Sequence, residues 1–475
     1  MTGTLESARR VRVPTLLAAT TVGVYLLILV GVTNALASAT SACPTWPLCG
    51  GRAFAGADLR LLVVVAHRLA TVVVAGLLAW TAYAAWVRGV STRVAVAIGA
   101  AAVLYPLEVW IGAVTVLAGD STAVSATHLV VAIGIFSSLL AGLVWQLETE
   151  TETESNSQAL STDEATPTTG SRAGSEPEPG VHPLLAGPIG GRVWAYVRLT
   201  KPKLWWLLCL VAFAAMGLAA GRVPPLPTVV GTFLGGVLAI GASGTFNHVI
   251  ERDVDKRMAR TSDRPVAQAQ IPVRRALAFG VAQAVASVGV FLALVNPLSA
   301  ALGLLAVVFY SVVYTVVLKP NTPQNIVIGG AVGAFPALIG WAAVTDTVGV
   351  PAVVLGAVIF LWTPAHFYNL ALVYRDDYAR AGFPMLPVVS GESVTRRHIL
   401  GYLGATMLSA VLLVVVTPLD WPFALVAVAV GAVFLWSVVR LYRERTDRAA
   451  FRAFMASNAY LGLLLLAIVV DSILV

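Results

Sequence analysis

Thirteen stretches of roughly 17 to 25 mostly apolar residues recur along this chain, each long enough to cross about 30 Å of hydrocarbon as a helix. A bilayer offers no water to satisfy backbone N–H and C=O groups, so stretches of this length are confined to α-helices. Four lie before residue 147 and nine after residue 200, and the expected fold class is an all-α polytopic membrane protein. The composition agrees: 58% hydrophobic and 12% charged, against about a quarter charged in a soluble domain. The first stretch, from about Pro14 to Leu36, follows Arg9, Arg10 and Arg12. It is longer than the ~7–15 residues of a signal-peptide core, and no small-residue cleavage site precedes the next polar stretch convincingly, so it is read as a retained span.

The net charge of +7 would suggest nucleic acid in a soluble protein, but here the basic residues alternate by loop. Arg198, Lys201 and Lys203 precede the fifth span, and Arg252, Lys256, Arg257, Arg260, Arg264, Arg274 and Arg275 follow the sixth. Lys319, then Arg375, Arg380, Arg396 and Arg397, and then the arginines from Arg440 to Arg452 mark the later loops on that side. Between them only Arg222 interrupts, so the positive-inside rule puts these loops in the cytoplasm. The basic charge describes orientation in a cell membrane, and no nucleic-acid partner is expected.

From Glu148 to Gly180 the hydrophobicity collapses into a stretch rich in Thr, Ser, Glu and Pro, which cannot bury enough apolar surface to offset the entropy of ordering. The expected organisation is a four-span membrane unit over residues 1–147, a disordered acidic cytoplasmic linker over 148–191, and a nine-span unit over 192–475. Four spans return the chain to its starting side, which agrees with the cytoplasmic side assigned to Lys201 and Lys203.

The sixth span ends in GTFNHVIERDVDKRMARTSDRP. There Asn247, Glu251 and Asp255 stand at i, i+4 and i+8, on one helical face over about 12 Å. Ionisable groups at the end of an apolar helix are costly unless they line a polar cavity or hold a cation. A few hard oxygens on one face suit Mg²⁺ that keeps several waters and completes its shell with substrate phosphate. Asp253 falls off that face, and both a solvated charge and a metal role stay open for it. Arg260 and Arg264 follow at once and can grip a diphosphate through forked, charge-assisted hydrogen bonds. The second acidic motif, YRDDYARAGFPMLPV, carries Asp376, Asp377 and Arg380 on the same side of the membrane.

These motifs, with LKPNTPQNIVIGGAVGAFPALIGW and WTPAHF between them, resemble the haem O synthases, the haem-farnesylating branch of the UbiA-type intramembrane prenyltransferases. The resemblance runs from about Val193 to the C-terminus and implies a nine-helix bundle. It implies farnesyl diphosphate as donor, haem b as acceptor, Mg²⁺ as cofactor, and hydroxyethylfarnesylation of a porphyrin vinyl group to give haem O. Haem A synthase or terminal-oxidase assembly are the partners it points to. Carried over residue by residue, it makes Asn247, Glu251, Asp255 and Asp377 catalytic metal-site residues, with Glu251 where the family usually has Asp. Arg260 and Arg264 become diphosphate contacts. Lys319 is a further candidate contact. His366 in LWTPAHFYNL is either a haem ligand or a hydrogen-bonded core residue, and Tyr310 and Tyr314 either border the same cavity or are interfacial aromatics.

The first external loop reads SACPTWPLCGG, where Cys43 and Cys49 are candidates for a disulfide on the oxidising side, whereas Cys209 lies inside a span. His67 and His128 fall at matched depth in the second and fourth spans, as an axial haem pair requires. With CPTWPLC and WIGAVTVLAG, residues 14–146 resemble one half of haem A synthase. Three readings stay open: a haem-binding module, a half-sized synthase acting as a dimer, and a degenerate fold kept for assembly. A tether would raise the local concentration of an insoluble intermediate. Glu108, intramembrane beside Pro106, has no partner assignable from sequence. Two other functions compete with haem farnesylation: prenylation of a quinone or lipid alcohol, and a bis-histidine cytochrome whose acidic motifs are loop charges.

Overall fold

The computed structural model describes residues 12–36, 42–47, 49, 59–117, 119, 121–161 and 188–474. Among these, thirteen helices are long and apolar enough to cross a membrane, divided four and nine as the sequence predicts. The first four are α1 (Val13–Leu36), α2 (Leu59–Arg88), α3 (Thr92–Leu117) and α4 (Thr122–Ser161). The next four are α5 (Trp205–Ala220), α6 (Leu226–Ile250), α7 (Val273–Leu294) and α8 (Pro297–Val308). The last five are α9 (Ala331–Thr345), α10 (Val350–Val373), α11 (Gly391–Val416), α12 (Trp421–Glu444) and α13 (Asp447–Leu474). Of these, α5, α8 and α9 are parts of the longer spans Pro202–Ala220, Pro297–Asn321 and Asn325–Thr345. Proline sits in the first turn of α6, α8, α10 and α12, where its missing N–H removes no helical hydrogen bond. The Asn296 side chain caps α8 by accepting from the Ser299 amide at 2.7 Å.

Helices α5 to α13 pack mostly as neighbours in sequence, and α5 closes the bundle by packing against both α9 and α13. A π-helical stretch, Phe309–Leu318, continues α8. Its wider turn puts residues five apart on one face, and such turns often occur at functional sites. The Thr315 hydroxyl accordingly donates to the Tyr310 carbonyl, five residues back.

The four N-terminal helices do not hang from a tether. Helices α1 and α4 pack directly on α11 and α12, and one continuous core joins Tyr25, Phe136, Leu139 and Leu143 to Met407, Phe434 and Tyr460. The closest approach needs a glycine: a Cβ at Gly404 would lie 2.1 Å from Leu140 Cδ2. Polar contacts fix one rim of this interface, where Glu148 pairs with Arg397 and Thr15 accepts from Arg443 at 3.0 Å.

The structure revises the expected linker. Residues 148–161 continue α4 as helix rather than beginning a disordered stretch, and a helix Pro188–Leu199 starts before the expected boundary at 192. Extending an existing helix avoids the unfavourable nucleation step that a polar segment would face alone. Gln146 donates to Glu150 one turn on, and the Thr149 and Thr151 hydroxyls return to the Trp145 and Leu147 carbonyls. The rest of the expected linker, residues 162–187, lies outside the described residues.

Candidate active site

Helix α6 ends at Ile250, and Glu251, at φ −87° and ψ 0°, joins it to a one-turn helix, Arg252–Asp255. The joint barely interrupts the helical hydrogen-bond pattern. The Glu251 amide donates to Asn247 O at 2.9 Å and the Asp255 amide to Glu251 O at 2.8 Å. The three side chains therefore stay aligned, and all three are buried.

Cations meet each of them. Arg264 Nη1 lies 2.8 Å from both Asp255 carboxylate oxygens and 3.4 Å from Glu251 Oε2. Lys319 Nζ is 2.5 Å from Glu251 Oε1. Lys201 Nζ donates to Asn247 Oδ1 at 2.6 Å and to the Tyr310 hydroxyl at 2.7 Å. Asn247 is held from its other side, its Nδ2 donating to Thr315 Oγ1 at 3.3 Å.

Two carboxylates thus face three basic groups in a buried pocket, an arrangement with capacity for further negative charge. Burial pushes Lys201 down to about 7, with Arg264 adding to the shift. Burial also raises Glu251, but Lys319, Lys201 and Arg264 outweigh it and hold that carboxyl below its ordinary value. For Asp255 burial wins over the Arg264 pairing, and its carboxyl is raised. The uneven balance marks a site whose charges are only partly compensated.

Directly behind Lys201 and Tyr310 lies a cavity of about 120 Å³ walled by apolar side chains of α5, α6, α8 and α9, among them Leu208, Phe233, Ile240, Phe335 and Ile339. The cluster and the cavity share Lys201 and Tyr310 as a common rim. Tyr314 lies beside Tyr310, the rings tilted with centroids 5.5 Å apart.

The second acidic motif forms a short helix, Arg375–Ala381. The structure does not bring Asp377 to Glu251 and Asp255: among the described residues no three His, Cys, Asp or Glu side chains group closely enough to hold a metal. Asp377 instead accepts from the backbone amides of Ala259, at 3.4 Å, and Arg260, at 3.2 Å, and pairs with Arg380. Arg260 lies over the rings of Tyr374 and Tyr378, at 5.0 and 5.8 Å, and donates to the Tyr378 hydroxyl at 3.2 Å. Asp377 thus holds the backbone of the loop that presents Arg260. Asp253 is exposed and paired with Lys256, and Asp376 is paired with Arg375.

His366 is placed away from the cluster. Its ring is stacked between Trp362 and Phe454, at 4.2 and 4.3 Å, and Nδ1 is 2.6 Å from the Ser457 hydroxyl. Both of its faces are covered, and it does not line the cavity beside Lys201 and Tyr310.

Lys201 and Tyr310 are the site residues that sequence reasoning underweighted. In the sequence Lys201 reads as a topology charge, and its one local signal is a basic residue flanked by Pro202 at a span entrance.

In the N-terminal helices, Cys43 and Cys49 form a disulfide. Arg68 holds their loop, donating to the Thr45 and Pro47 carbonyls at 2.9 and 3.1 Å and lying over the Trp46 ring. His67 and His128 border one cavity of about 170 Å³, together with Arg68, Tyr105 and Glu108.

Residues 207–462 match the model of the UbiA prenyltransferase family. The chain is 54% identical over 460 residues to the protoheme IX farnesyltransferase of Haloarcula marismortui, covering 96% of this chain and 98% of that one. It is 54% identical over 462 residues to protoheme IX farnesyltransferase 1 of Natronomonas pharaonis, covering 97% and 98%. The protoheme IX farnesyltransferase of Paenarthrobacter aurescens is 41% identical over 300 residues, which is 61% of this chain but 94% of that protein. A bundle of this kind, with a charged cluster at the mouth of an apolar cavity, defines an intramembrane prenyltransferase. The chain belongs to the UbiA prenyltransferase family.

Proposed function

We propose that this chain transfers the farnesyl group of farnesyl diphosphate to a vinyl group of haem b, with addition of water, to give haem O. One observation carries the donor half: Lys201 and Tyr310 belong both to the charged cluster and to the rim of the apolar cavity. A prenyl diphosphate is divided in the same way, into an anionic head and a hydrocarbon tail. The acceptor follows from the near-full-length relatives, whose names specify protoheme IX and a farnesyl group.

Lys201, Lys319 and Arg264 would exchange their present partners for diphosphate oxygens, and Arg260 would approach from the loop fixed by Asp377. That exchange frees Asn247, Glu251 and Asp255, whose amide and carboxylate oxygens fit Mg²⁺ in type and number. Held there, Mg²⁺ would supply Lewis acidity toward the departing diphosphate. The allylic C–O bond breaks with its electron pair leaving on diphosphate, and the basic residues stabilise that charge. The apolar wall keeps water from the farnesyl cation. The vinyl π electrons form the new C–C bond, and water takes the resulting cation beside the porphyrin and loses a proton. The catalytic unit in this reading is residues 192–475, with its charged face toward the cytoplasm in the cell membrane. Haem A synthase or terminal-oxidase assembly would take up the product.

Incubating purified protein with haem b, farnesyl diphosphate and Mg²⁺ and weighing the extracted porphyrins tests this. Haem O should appear and be lost in Asn247→Ala and Asp255→Ala. A prenylated quinone as sole product, with haem unchanged, would overturn the acceptor.

For residues 1–147 a second observation supports haem binding: imidazoles from α2 and α4 border one cavity, and His67 Nδ1 is buried without a hydrogen-bond partner. One imidazole nitrogen from each of these helices would hold the iron of a haem resident here, separate from the substrate.

A further inference from the structure

Glu108 is an acid in the middle of a membrane helix that haem farnesylation leaves unused. Such a residue needs a partner or a function. Its Oε1 lies 2.9 Å from His128 Nδ1, and its Oε2 is buried without a hydrogen-bond partner. Neither His67 Nδ1 nor His128 Nδ1 makes a well-formed hydrogen bond, but among the described residues a carboxylate oxygen stands beside His128 alone. The arrangement is therefore asymmetric: two histidines face one cavity, and only one touches a carboxylate.

The helix that carries Glu108 is itself located. Three residues earlier on α3, the Tyr105 hydroxyl donates to the Thr71 carbonyl of α2 at 2.7 Å, and the Thr71 hydroxyl donates to the His67 carbonyl at 2.9 Å. Glu108 is thus held relative to the helix of His67 while touching the ring of His128. The His128 ring has room to lie against α3 because position 112 is glycine: a Cβ there would meet His128 Cε1 at 3.2 Å and Nε2 at 3.4 Å. With Nδ1 turned to Glu108, Nε2 is the atom left to act as a ligand.

We infer that Glu108 is a positioning residue for His128, fixing its ring and tautomer and raising its basicity as an axial ligand. The inference rests on the haem-binding reading of the N-terminal helices. A carboxylate on the distal nitrogen of a metal-bound histidine orients the ring and strengthens it as a donor, which favours the more highly charged metal. In a ferric/ferrous couple the consequence is a lower midpoint potential than two unsupported histidines would give.

The test uses the full-length, haem-loaded protein without farnesyl diphosphate, with a His128→Ala variant to assign the low-spin signal to this site. Glu108→Gln should raise the midpoint potential, a tenfold change in the ferric/ferrous ratio at fixed poise corresponding to ~59 mV for one electron. Glu108→Asp should recover part of the shift, which a loss of packing alone would not do. An unchanged potential in Glu108→Gln, with the wild-type low-spin signal present and His128-dependent, would overturn the role of Glu108 and leave the haem reading intact. A wild type without any His128-dependent haem signal would remove that reading and this inference together.

Discussion

The ammonium of Lys201 sits 2.6 Å from the side-chain oxygen of Asn247. It occupies one of the oxygens proposed for the metal, and Lys201 itself borders the apolar cavity. A cation held there is released only when something more negative than an amide takes its place, which is what a diphosphate offers.

Lys201→Met should therefore lower kcat/KM for the prenyl donor by about 1.5–3 kcal/mol, the worth of a charged hydrogen bond, or roughly 10- to 150-fold. The protein should stay folded, since removing the lysine leaves the pairs of Glu251 and Asp255 intact. Steady-state kinetics against donor concentration checks this; an unchanged kcat/KM would exclude Lys201 from the diphosphate site.

Asp255 and Asp377 should behave differently toward metal. Removing Mg²⁺ with a chelator should abolish turnover, and Mg²⁺ titration of Asp255→Asn should show a raised half-saturation. Asp377→Asn should leave the Mg²⁺ dependence near that of the wild type and raise KM for the donor, because Asp377 bonds the amides that present Arg260. A large shift of the Mg²⁺ curve in Asp377→Asn would instead make it a metal ligand.

His366→Leu should cost stability rather than chemistry. Losing the contact to Ser457 in a buried interface is worth about 1–3 kcal/mol, read as a lower melting temperature in detergent. Turnover per folded molecule should be retained. A folded variant that no longer binds haem b would restore the ligand reading.

Gly404→Leu should strain the contact between α4 and α11, where even a Cβ meets Leu140 Cδ2 at 2.1 Å. Overpacking of this kind costs about 1–3 kcal/mol. Leu140→Ala in the same chain should recover much of the loss, and a double-mutant cycle on thermal unfolding measures the coupling.

What the sequence discloses depends on the range of the interaction. Span number and order are legible because each apolar run is local and long enough to be read singly. The alignment of Asn247, Glu251 and Asp255 is legible for the same reason, since it follows from helical periodicity within nine residues. Lys201 is 46 residues from Asn247 and Tyr310 a further 63 on, and no local pattern records that their side chains meet. Asp377 carries a recognisable motif, yet its partners are backbone amides 117 and 118 residues away, so the motif reveals its presence without its role. The helical start of the linker escapes a compositional reading because its stability comes from the span it extends.

The core shared by α1, α4, α11 and α12 changes what the connecting segment is for. Two bodies that bury Tyr25, Leu140 and Glu148 against one another recognise each other by surface complementarity, as subunits do. Their association would outlast a cut anywhere between residues 162 and 187. Joining them in one polypeptide then sets their stoichiometry at one to one and lets both enter the membrane in a single act of synthesis.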